Sequence, residues 1–308
     1  MSSQGVLVTG GAGFIGSHLV EFFLRQGRRV VVIDDLSSGR LEDLPADRVR
    51  FVRGDVSRPE TFEAVEKEKI DLICHFAGSA NVPLSVREPE HDFLANTVGT
   101  FRVLEFARKQ EVSMLLFASS ASVCGMAPVL PLEESTAPNP VSPYAASKAA
   151  GECYARSYYL AYGVPATVVR LFNVFGPRCQ QFVVYDFFRK LRANPRELTI
   201  IGDGLQMRDF LFVEDAIRGI AFLAEKGKPG EVYNLASGKP TTIRDLAGMI
   251  IQEMGLNEVA VKYTMTPSPG DVPRWYGDIS KIAALGFEPQ ISLREGLQRT
   301  VAWLQENG

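Results

Sequence analysis

A glycine-rich segment near the N-terminus constrains the fold of this chain more than any other feature. Residues 9–16 read TGGAGFIG; they follow the apolar run GVLVT and precede the amphipathic stretch SHLVEFFLRQG. In a strand–turn–helix unit, Gly10 permits the tight turn, Gly13 lets the backbone approach a pyrophosphate, and Gly16 allows close helix–sheet packing. The free N–H groups at the start of the helix then bind phosphate. The segment therefore predicts a dinucleotide site.

The acidic residue that follows the second apolar run indicates which dinucleotide is bound. Asp34 ends the run VVVI and can hold both hydroxyls of the adenosine ribose, whereas it would repel a 2′-phosphate. We therefore expect NAD rather than NADP, although the nearby Arg40 argues weakly the other way. Asp55 and Val56 end the third run and are placed to meet the adenine; the alternative role of Asp55 is a helix cap.

Short apolar runs alternate with longer amphipathic stretches in the first half of the chain. Seven runs are too short for helices, and we interpret them as buried strands: 5–9, 30–33, 49–53, 72–76, 115–119, 166–171 and 231–235. Strand–helix repetition implies right-handed crossovers and a parallel sheet covered on both faces. The predicted fold class is α/β, a Rossmann-like doubly wound parallel sheet of about seven strands with a smaller C-terminal substrate-binding lobe.

The alternation weakens after about Phe172, where prolines become frequent. Two helix-like stretches remain, at 243–254 and 293–305. We expect residues 1–172 to form the NAD-binding Rossmann domain, with 206–238 returning to it. Residues 173–205 and 239–308 would then form the smaller substrate-binding lobe.

Composition excludes several classes of protein. The chain has 308 residues, of which 46% are hydrophobic and 22% charged, as in ordinary globular proteins. Its net charge of −3 lacks the basic excess of nucleic-acid-binding proteins, and no apolar run approaches a membrane span of ~20 residues. The four cysteines show no metal-ligand spacing, and the N-terminus resembles no secretory signal. We expect a cytoplasmic protein with no metal site and no nucleic-acid or membrane partner.

Tyr144 and Lys148, in SPYAASK, have the spacing that places two side chains on one face of a helix. Because an ammonium group beside a phenol favours the phenolate, we expect the pKa of Tyr144 to be lowered from about 10 toward neutrality. Such a tyrosine can take a proton from a sugar hydroxyl while hydride leaves its carbon. Ser119 and Ser120 end the fifth run, where Ser120 can share that proton or, alternatively, cap a helix.

These motifs resemble the extended short-chain dehydrogenase/reductase family, and most closely its NAD-dependent nucleotide-sugar epimerases and dehydratases, such as UDP-galactose 4-epimerases. The resemblance rests on TGGAGFIG, Asp34, HFAG at 75–78, Asn96, SSASV, SPYAASK, LFNVFGPR, MRDFLFVEDA and PGDVPRWYGDISK. It implies a tightly bound NAD that is used and regenerated within one turnover, and a transient 4-keto sugar. It also implies a homodimer formed through the stretches 93–108 and 144–162.

The resemblance also implies a set of site residues. We expect the acid–base group to comprise Ser120, Tyr144, Lys148 and Cys124. Contacts to a UDP-sugar are expected from Ser79, Ser120, Asn173, Arg208 and Arg274, of which the last three would hold the diphosphate, unless each arginine forms a surface salt bridge instead. The residues expected to line the NAD site are Gly10, Gly13, Phe14, Ile15, Gly16, Asp34, Asp35, Leu36, Ser37, Gly39, Asp55, Val56, Phe76, Ala77, Gly78, Asn96, Ser119, Tyr144, Lys148 and Phe172.

The sequence departs from the family at one position near the expected site. The family pattern S-x-x-V-Y-G reads here as SASVCG, so that Cys124 replaces an aromatic residue. The 4,6-dehydratases carry an Asp-Glu pair where this chain has Ala121 and Ser122, which argues against an ordinary 4,6-dehydratase. Two interpretations remain for Cys124. It is a small buried hydrophobe in a 4-epimerase, or a thiolate near Lys148 that removes the sugar C5 proton in a 5,6-dehydratase.

The sequence favours the dehydratase interpretation slightly, because C4 epimerisation does not require a cysteine. Trp275 leaves hexose and N-acetylhexosamine substrates both open. A non-catalytic NAD sensor and a simple alcohol dehydrogenase are remote alternatives: Ser120, Tyr144 and Lys148 argue against the first, and the large C-terminal lobe with its arginines argues against the second.

Overall fold

A computed structural model describes residues 5–45, 47–266 and 272–307. Pro269, Gly270 and Asp271, which open the segment PGDVPRWYGDISK, lie outside the described residues. Within the described residues the strands are β1 (Gly5–Thr9), β2 (Arg29–Asp34), β3 (Arg50–Arg53), β4 (Ile70–His75), β5 (Met114–Ser120), β6 (Ala166–Leu171), β7 (Asn173–Phe175), β8 (Glu197–Ile200), β9 (Met207–Phe212), β10 (Val232–Leu235), β11 (Pro240–Thr242) and β12 (Ala260–Tyr263).

The α-helices of the same residues are α1 (Phe14–Arg25), α2 (Glu60–Glu63), α3 (Val82–Arg87), α4 (Pro89–Asp92), α5 (Gly99–Gln110), α6 (Pro143–Tyr162), α7 (Phe182–Ala193), α8 (Val213–Lys226), α9 (Ile243–Glu253), α10 (Ser280–Ala283) and α11 (Leu293–Asn307). A π-helical turn, Phe93–Val98, joins α4 to α5. A short 3₁₀ turn, Ala121–Cys124, follows β5.

The seven-stranded sheet has the order β10-β6-β5-β4-β1-β2-β3, and β1 to β6 pair with their neighbours in parallel. This confirms the predicted Rossmann-like class. The strand order reverses between β1 and β4, and in sheets of this type ligands bind at that point, outside the carboxyl ends of the strands. The glycine-rich loop after β1 and the segment after β4 therefore meet where a dinucleotide is expected.

The sheet interior explains why most strands were recognisable from the sequence. All of β1 and almost all of β2, β4 and β6 are buried, because helices cover a parallel sheet on both faces. The prediction that the third strand is buried is wrong: Arg50 and Arg53 are exposed, and the two residues between them are half-buried. As the edge strand, β3 has a neighbour on one side only.

The chain divides into two compact units. The first comprises the chain up to Met126, Glu134–Leu171 and Ile217–Asn234, and includes the strands and helices of the Rossmann sheet. The second comprises Ala127–Glu133, Phe172–Ala216 and the chain from Leu235 onward. Of the segment 206–238, which we expected to return to the first domain, residues 217–234 lie in the first unit and the flanking residues in the second.

The second unit contains two small sheets, of order β11-β9-β7 and β12-β8. The predicted helices at 243–254 and 293–305 are present as α9 and α11. The sequence analysis missed α7 and α8, which lie in the proline-punctuated half. In the part of the chain that the structure describes, no helix is long and apolar enough to cross a membrane.

Candidate active site

The loop between β1 and α1 has a shape that only glycine allows. Gly10 has φ of +71°, and a Cβ there would lie 2.6 Å from the backbone nitrogen of Ala77. A Cβ at Gly16 would collide with the carbonyl oxygen of Gly10. Gly13 precedes α1, and within the described residues no side chain caps that helix. A Cβ at Gly13 would meet only the Gly10 carbonyl oxygen, at 3.2 Å, so the loop leaves the N-terminus of α1 accessible to a phosphate group.

Asp34 lies at the end of β2 directly against this loop. Its carboxylate accepts hydrogen bonds from the backbone N–H groups of Ala12, at 2.9 Å, and Leu36, at 2.8 Å. Burial raises the pKa of Asp34, whereas these two hydrogen bonds act in the opposite direction. Arg40, the residue that argued for NADP, is exposed and pairs with Glu42 at 2.8 Å.

The neighbouring residues expected at the cofactor site have local structural roles. The Asp35 carboxylate accepts from the backbone and hydroxyl of Ser37, and the Asp55 carboxylate accepts from the backbone of Ser57 in a turn. Val56 belongs to the core of the first unit. The remaining members lie around the same loop: Phe14 and Ile15 open α1, Leu36 adopts φ of +63°, and Gly39 packs against Ala12.

The segment HFAG follows β4 at the point where the sheet order reverses. The Phe76 N–H donates to the Thr9 carbonyl at 3.0 Å, which ties the segment to β1. His75 is buried between two hydroxyls, with Nδ1 2.8 Å from Thr9 Oγ1 and Nε2 3.1 Å from Thr100 Oγ1. Burial and the charge of Lys148 lower the pKa of His75 to about 3. This histidine is therefore a neutral structural residue.

Helix α6 carries Tyr144 and Lys148. It begins at Pro143, and the side chain of the preceding Ser142 accepts from the Ala145 N–H at 3.2 Å, an ordinary N-cap. Both Tyr144 and Lys148 are buried. The Lys148 ammonium donates to the carbonyl of Ala118 on β5 at 3.0 Å and lies over the ring of Phe117.

A chain of hydroxyl groups leads from the turn after β5 to Tyr144. The Ser122 hydroxyl donates to Ser120 Oγ at 2.9 Å, and the Ser122 backbone N–H donates to the same oxygen. Ser120 in turn hydrogen-bonds the phenol of Tyr144, which favours the phenolate. Ser119 points elsewhere: its hydroxyl donates to Glu152 at 2.6 Å. The structure thus brings Ser120 to Tyr144 and gives Ser119 a structural role.

The expectation that the pKa of Tyr144 is lowered toward neutrality is wrong for this structure. Burial raises the pKa of Tyr144 to about 12, and the charge of Asp92 acts in the same direction. Burial also lowers the pKa of Lys148 to about 8. The i, i+4 spacing places both side chains on one face of α6, but burial is the largest influence on the pKa of each.

Cys124 lies beside a buried ion pair. Two nitrogens of the Arg170 guanidinium donate to the Glu152 carboxylate at 2.9 and 2.8 Å, and the third contacts the Cys124 sulfur at 3.6 Å. The thiol is 1% exposed, and burial raises its pKa. The charged groups acting on the thiol are Arg170 and Glu152, so the structure does not support the interpretation of Cys124 as a thiolate near Lys148.

The sequence analysis missed the buried residues Asp92, Glu152 and Arg170. Glu152 continues the spacing of Tyr144 and Lys148 by one more helical turn, and this periodicity could have revealed it. Asp92 lies in the charged stretch EPEHD, which gives no sign of burial. Its side chain is nevertheless fully buried and accepts hydrogen bonds from Asn96 and Ser147.

The residues expected to bind the sugar diphosphate belong to the second unit. The Asn173 amide donates to the Asp209 carbonyl at 3.0 Å. Arg208 is buried, donates to the Met207 and Pro273 carbonyls, and stacks over the ring of Trp275 at 4.9 Å.

Two further predicted residues of the second unit differ in exposure. Arg274 is exposed, and Met207 pairs with it in a β-bridge. Phe172 is buried, and its ring lies against the backbone of Gly277.

These features together define a class: an enzyme with a doubly wound α/β fold that binds a dinucleotide beside a buried tyrosine and lysine. The model of the NAD dependent epimerase/dehydratase family matches residues 6–236. The chain belongs to this family, and it is therefore an enzyme that uses NAD.

The relatives cover the whole length of the chain. A putative UDP-glucose 4-epimerase of Methanocaldococcus jannaschii is 36% identical over 307 residues, which cover 98% of this chain and 99% of that protein. The human dTDP-D-glucose 4,6-dehydratase is 33% identical over 98% of this chain and 90% of its own. The crystal structure of UDP-glucose 4-epimerase with UDP-glucose from Thermotoga maritima has a TM-score of 0.93 at 36% identity, covering 98% and 99% of the two chains.

The residues of the first unit fit NAD. A Cβ at Gly13 would meet only the Gly10 carbonyl oxygen, and within the described residues no side chain caps the start of α1. The Oδ1 atom of Asn96 is buried and has no hydrogen-bond partner within the described residues. It lies next to Gly78, which has φ of +150° and, as a glycine, carries no side chain. An unpartnered acceptor beside bare backbone is suited to a hydroxyl group of a bound ligand.

Proposed function

We propose that this enzyme is a 4-epimerase that acts on a UDP-hexose or a UDP-N-acetylhexosamine through a transient 4-keto sugar. The observation that carries the proposal is the environment of the turn after β5. Positions 121 and 122 hold no carboxylate, and Cys124 is buried against Arg170 with a raised pKa. Ser120 and Tyr144 are then the acid–base groups of this segment, and they suffice for chemistry at a single hydroxyl.

Each residue has a defined task in this proposal. NAD, held by the glycine-rich loop and Asp34, would supply reversible hydride transfer to and from the sugar. Tyr144 takes the proton of the sugar C4 hydroxyl and later gives it back, so that no net proton change occurs. Ser120, polarised by Ser122, donates toward the phenol oxygen and favours the phenolate. Lys148 supplies a positive charge in a buried setting, where electrostatic effects are stronger than in water.

The relatives support a nucleotide sugar as the substrate. The Thermotoga maritima structure contains UDP-glucose, and the names of the similar proteins include epimerases of UDP-glucose and UDP-glucuronate. The three residues expected to contact the diphosphate, Asn173, Arg208 and Arg274, include two guanidinium groups, which bind phosphate oxygens bidentately.

A 5,6-dehydratase is the second candidate, and Cys124 is the observation that favours it, because epimerisation does not explain the loss of the family's aromatic residue. That reaction requires a base at C5. A thiol with a raised pKa in contact with an ion pair is poorly suited to this task. The structural evidence therefore favours the epimerase.

Proton NMR in heavy water distinguishes the candidates. The purified enzyme is incubated with UDP-glucose and, separately, with UDP-GlcNAc, with the Tyr144→Phe variant as the control. We expect a C4 epimer of at least one sugar, with the C5 proton fully retained. Vinyl signals with loss of the C5 proton would instead establish 5,6-dehydration, and a 4-keto-6-deoxy product would establish 4,6-dehydration.

A further inference from the structure

Asp92 is a fully buried carboxylate at the end of α4, next to the site but with no role in the chemistry proposed above. One of its oxygens accepts from the Asn96 side-chain amide at 2.9 Å, and the other accepts from the Ser147 hydroxyl at 2.7 Å. Ser147 directly precedes Lys148 on α6. Asp92 therefore connects the π-helical turn to the helix that carries Tyr144 and Lys148.

The hydrogen bonds of Asn96 fix the direction in which its amide points. Its Nδ2 group donates one hydrogen to Asp92 and the other to the Ser79 carbonyl at 3.0 Å. The Oδ1 atom is therefore directed away from both partners and lies against Gly78. The Lys148 ammonium lies 3.5 Å from the point that a Cβ of Gly78 would occupy. An acceptor and a cation are thus presented on the same stretch of bare backbone.

The charge of Asp92 also acts on the two proposed acid–base groups. Burial lowers the pKa of Lys148 to about 8, and Asp92 is the group that opposes this effect. Within the described residues, the groups recorded beside the ammonium are the Ala118 carbonyl and the Phe117 ring on β5 and the neutral His75 on β4. Glu152, one turn further along α6, pairs with Arg170 instead.

We propose that Asp92 is a positioning residue that holds the side-chain oxygen Oδ1 of Asn96 toward the site and keeps Lys148 in its charged form during turnover. It touches neither substrate nor cofactor, and it acts through its hydrogen bonds with Asn96 and Ser147 and through its charge on Lys148 and Tyr144. The catalytic part of this inference rests on the function proposed above for Tyr144 and Lys148. The structural part, a carboxylate that sets the charge of Lys148, does not.

The Asp92→Asn variant removes the charge with little change in shape. Its amide oxygen can still accept from Asn96, and its NH₂ group can donate to Ser147. We expect the alkaline limb of kcat to move to lower pH by about one unit, because the charge of Asp92 favours the charged form of the buried Lys148. KM should change far less. In Asp92→Glu the alkaline limb should return most of the way to its wild-type pH. Asp71→Asn, which removes a carboxylate at the opposite end of β4, should leave the limb in place.

A second measurement does not depend on activity. In protein labelled with ¹³C at lysine Cε, the Lys148 signal is assigned by its loss in Lys148→Arg and is then titrated. We expect the titration midpoint to fall by about one pH unit in Asp92→Asn. An unchanged midpoint would overturn the proposal. A shifted midpoint with an unchanged kcat profile would uphold the charge effect and contradict the role of Lys148 in the proposed function.

A measurement on the wild-type protein covers the case in which Asp92→Asn does not fold. Asn96 is 1% exposed and both of its side-chain amide hydrogens are donated, so we expect them to exchange with heavy water at least 100-fold more slowly than those of an exposed asparagine amide. The same resonances in Asp92→Glu should remain protected. Exchange of either hydrogen at the rate of an exposed amide in wild-type protein would overturn the proposed orientation.

Discussion

The guanidinium of Arg170 contacts the sulfur of Cys124 at 3.6 Å and shares its other nitrogens with Glu152. This contact makes the thiol part of a buried network, and we expect iodoacetamide to leave Cys124 unmodified in the folded protein. Peptide mass spectrometry should detect its alkylation only after unfolding. The fully buried Cys74 provides an internal reference. Turnover of Cys124→Ser should stay within about tenfold of wild type, whereas loss of a catalytic base lowers rates by 10²–10⁴.

Tyr144→Phe removes only the hydroxyl that meets Ser120. We expect kcat for C4 epimerisation to fall by a factor of about 10²–10⁴, the usual contribution of general acid–base catalysis. The matched control is Tyr162→Phe, because Tyr162 ends the same helix but is exposed. The decrease is measured with a coupled assay of the epimeric product. Near-normal turnover of Tyr144→Phe would remove this residue from the mechanism.

Asp34→Asn tests the cofactor preference. The substitution places an NH₂ group where one carboxylate oxygen now accepts a backbone N–H, and it removes the charge expected to hold the ribose. Since hydrogen bonds to charged groups contribute about 1.5–3 kcal/mol each, NAD should bind about 10- to 100-fold more weakly.

Binding of NAD and NADP to Asp34→Asn is measured by calorimetry, with thermal melting as a check on folding. Glu42→Gln, at an exposed carboxylate on the same loop, is the control. Unchanged NAD affinity in Asp34→Asn would contradict the assignment of this residue to the cofactor site.

His75 should remain neutral over the whole working pH range. The Thr100 hydroxyl donates its hydrogen to the backbone carbonyl of Asn96 at 2.5 Å. The Thr100 oxygen must therefore accept from Nε2–H of His75, and the Thr9 hydroxyl then donates to Nδ1. Nitrogen-15 NMR should show the Nε2-protonated tautomer, unchanged between pH 5 and 8. A protonated ring anywhere in that range would contradict the buried geometry.

The same residue should make stability depend on pH. Its pKa in the folded protein is about 3, below the usual 6.5, so the unfolded state binds more protons between these values. The free energy of unfolding should therefore fall as the pH decreases below 6.5, by up to about 1.4 kcal/mol per unit. Urea titrations at several pH values should show this slope in His91→Gln, where an exposed histidine is removed, and a smaller slope in His75→Gln.

Local signals made the first unit predictable. The glycine loop and the buried parallel strands each depend on a short run of consecutive residues, and the structure has them where the sequence indicated. Helix α7 was missed although its buried residues Val184, Phe187, Phe188 and Leu191 recur at helical spacing, because the surrounding prolines suggested loops. Edge strand β3 was predicted as buried because sequence alone does not show which strand has only one neighbour.

The electrostatics of the candidate site could not be predicted from the sequence. The spacing of Tyr144 and Lys148 identifies a pair on one helix face, yet the sign of each pKa shift depends on burial and on Asp92, which other elements of the fold supply. The structure does not support a catalytic role for Cys124, again because the groups around its thiol come from other elements of the fold. Its partner Arg170 lies on β6, and nothing in the sequence between them indicates the contact.

The π-helical turn Phe93–Val98 makes the number of residues between Asp92 and Gly99 a structural requirement of this site. Such a turn contains one residue more than an α-helical turn, and its side chains Phe93 and Leu94 project into solvent. The identity of these two exposed side chains matters little to the turn, whereas the number of residues in the turn does matter. Deleting one residue would rotate the helix on one side of the gap by about 100° relative to the other, so that the contact of Asp92 with Ser147 and that of Asn96 with Ser79 could not both be kept.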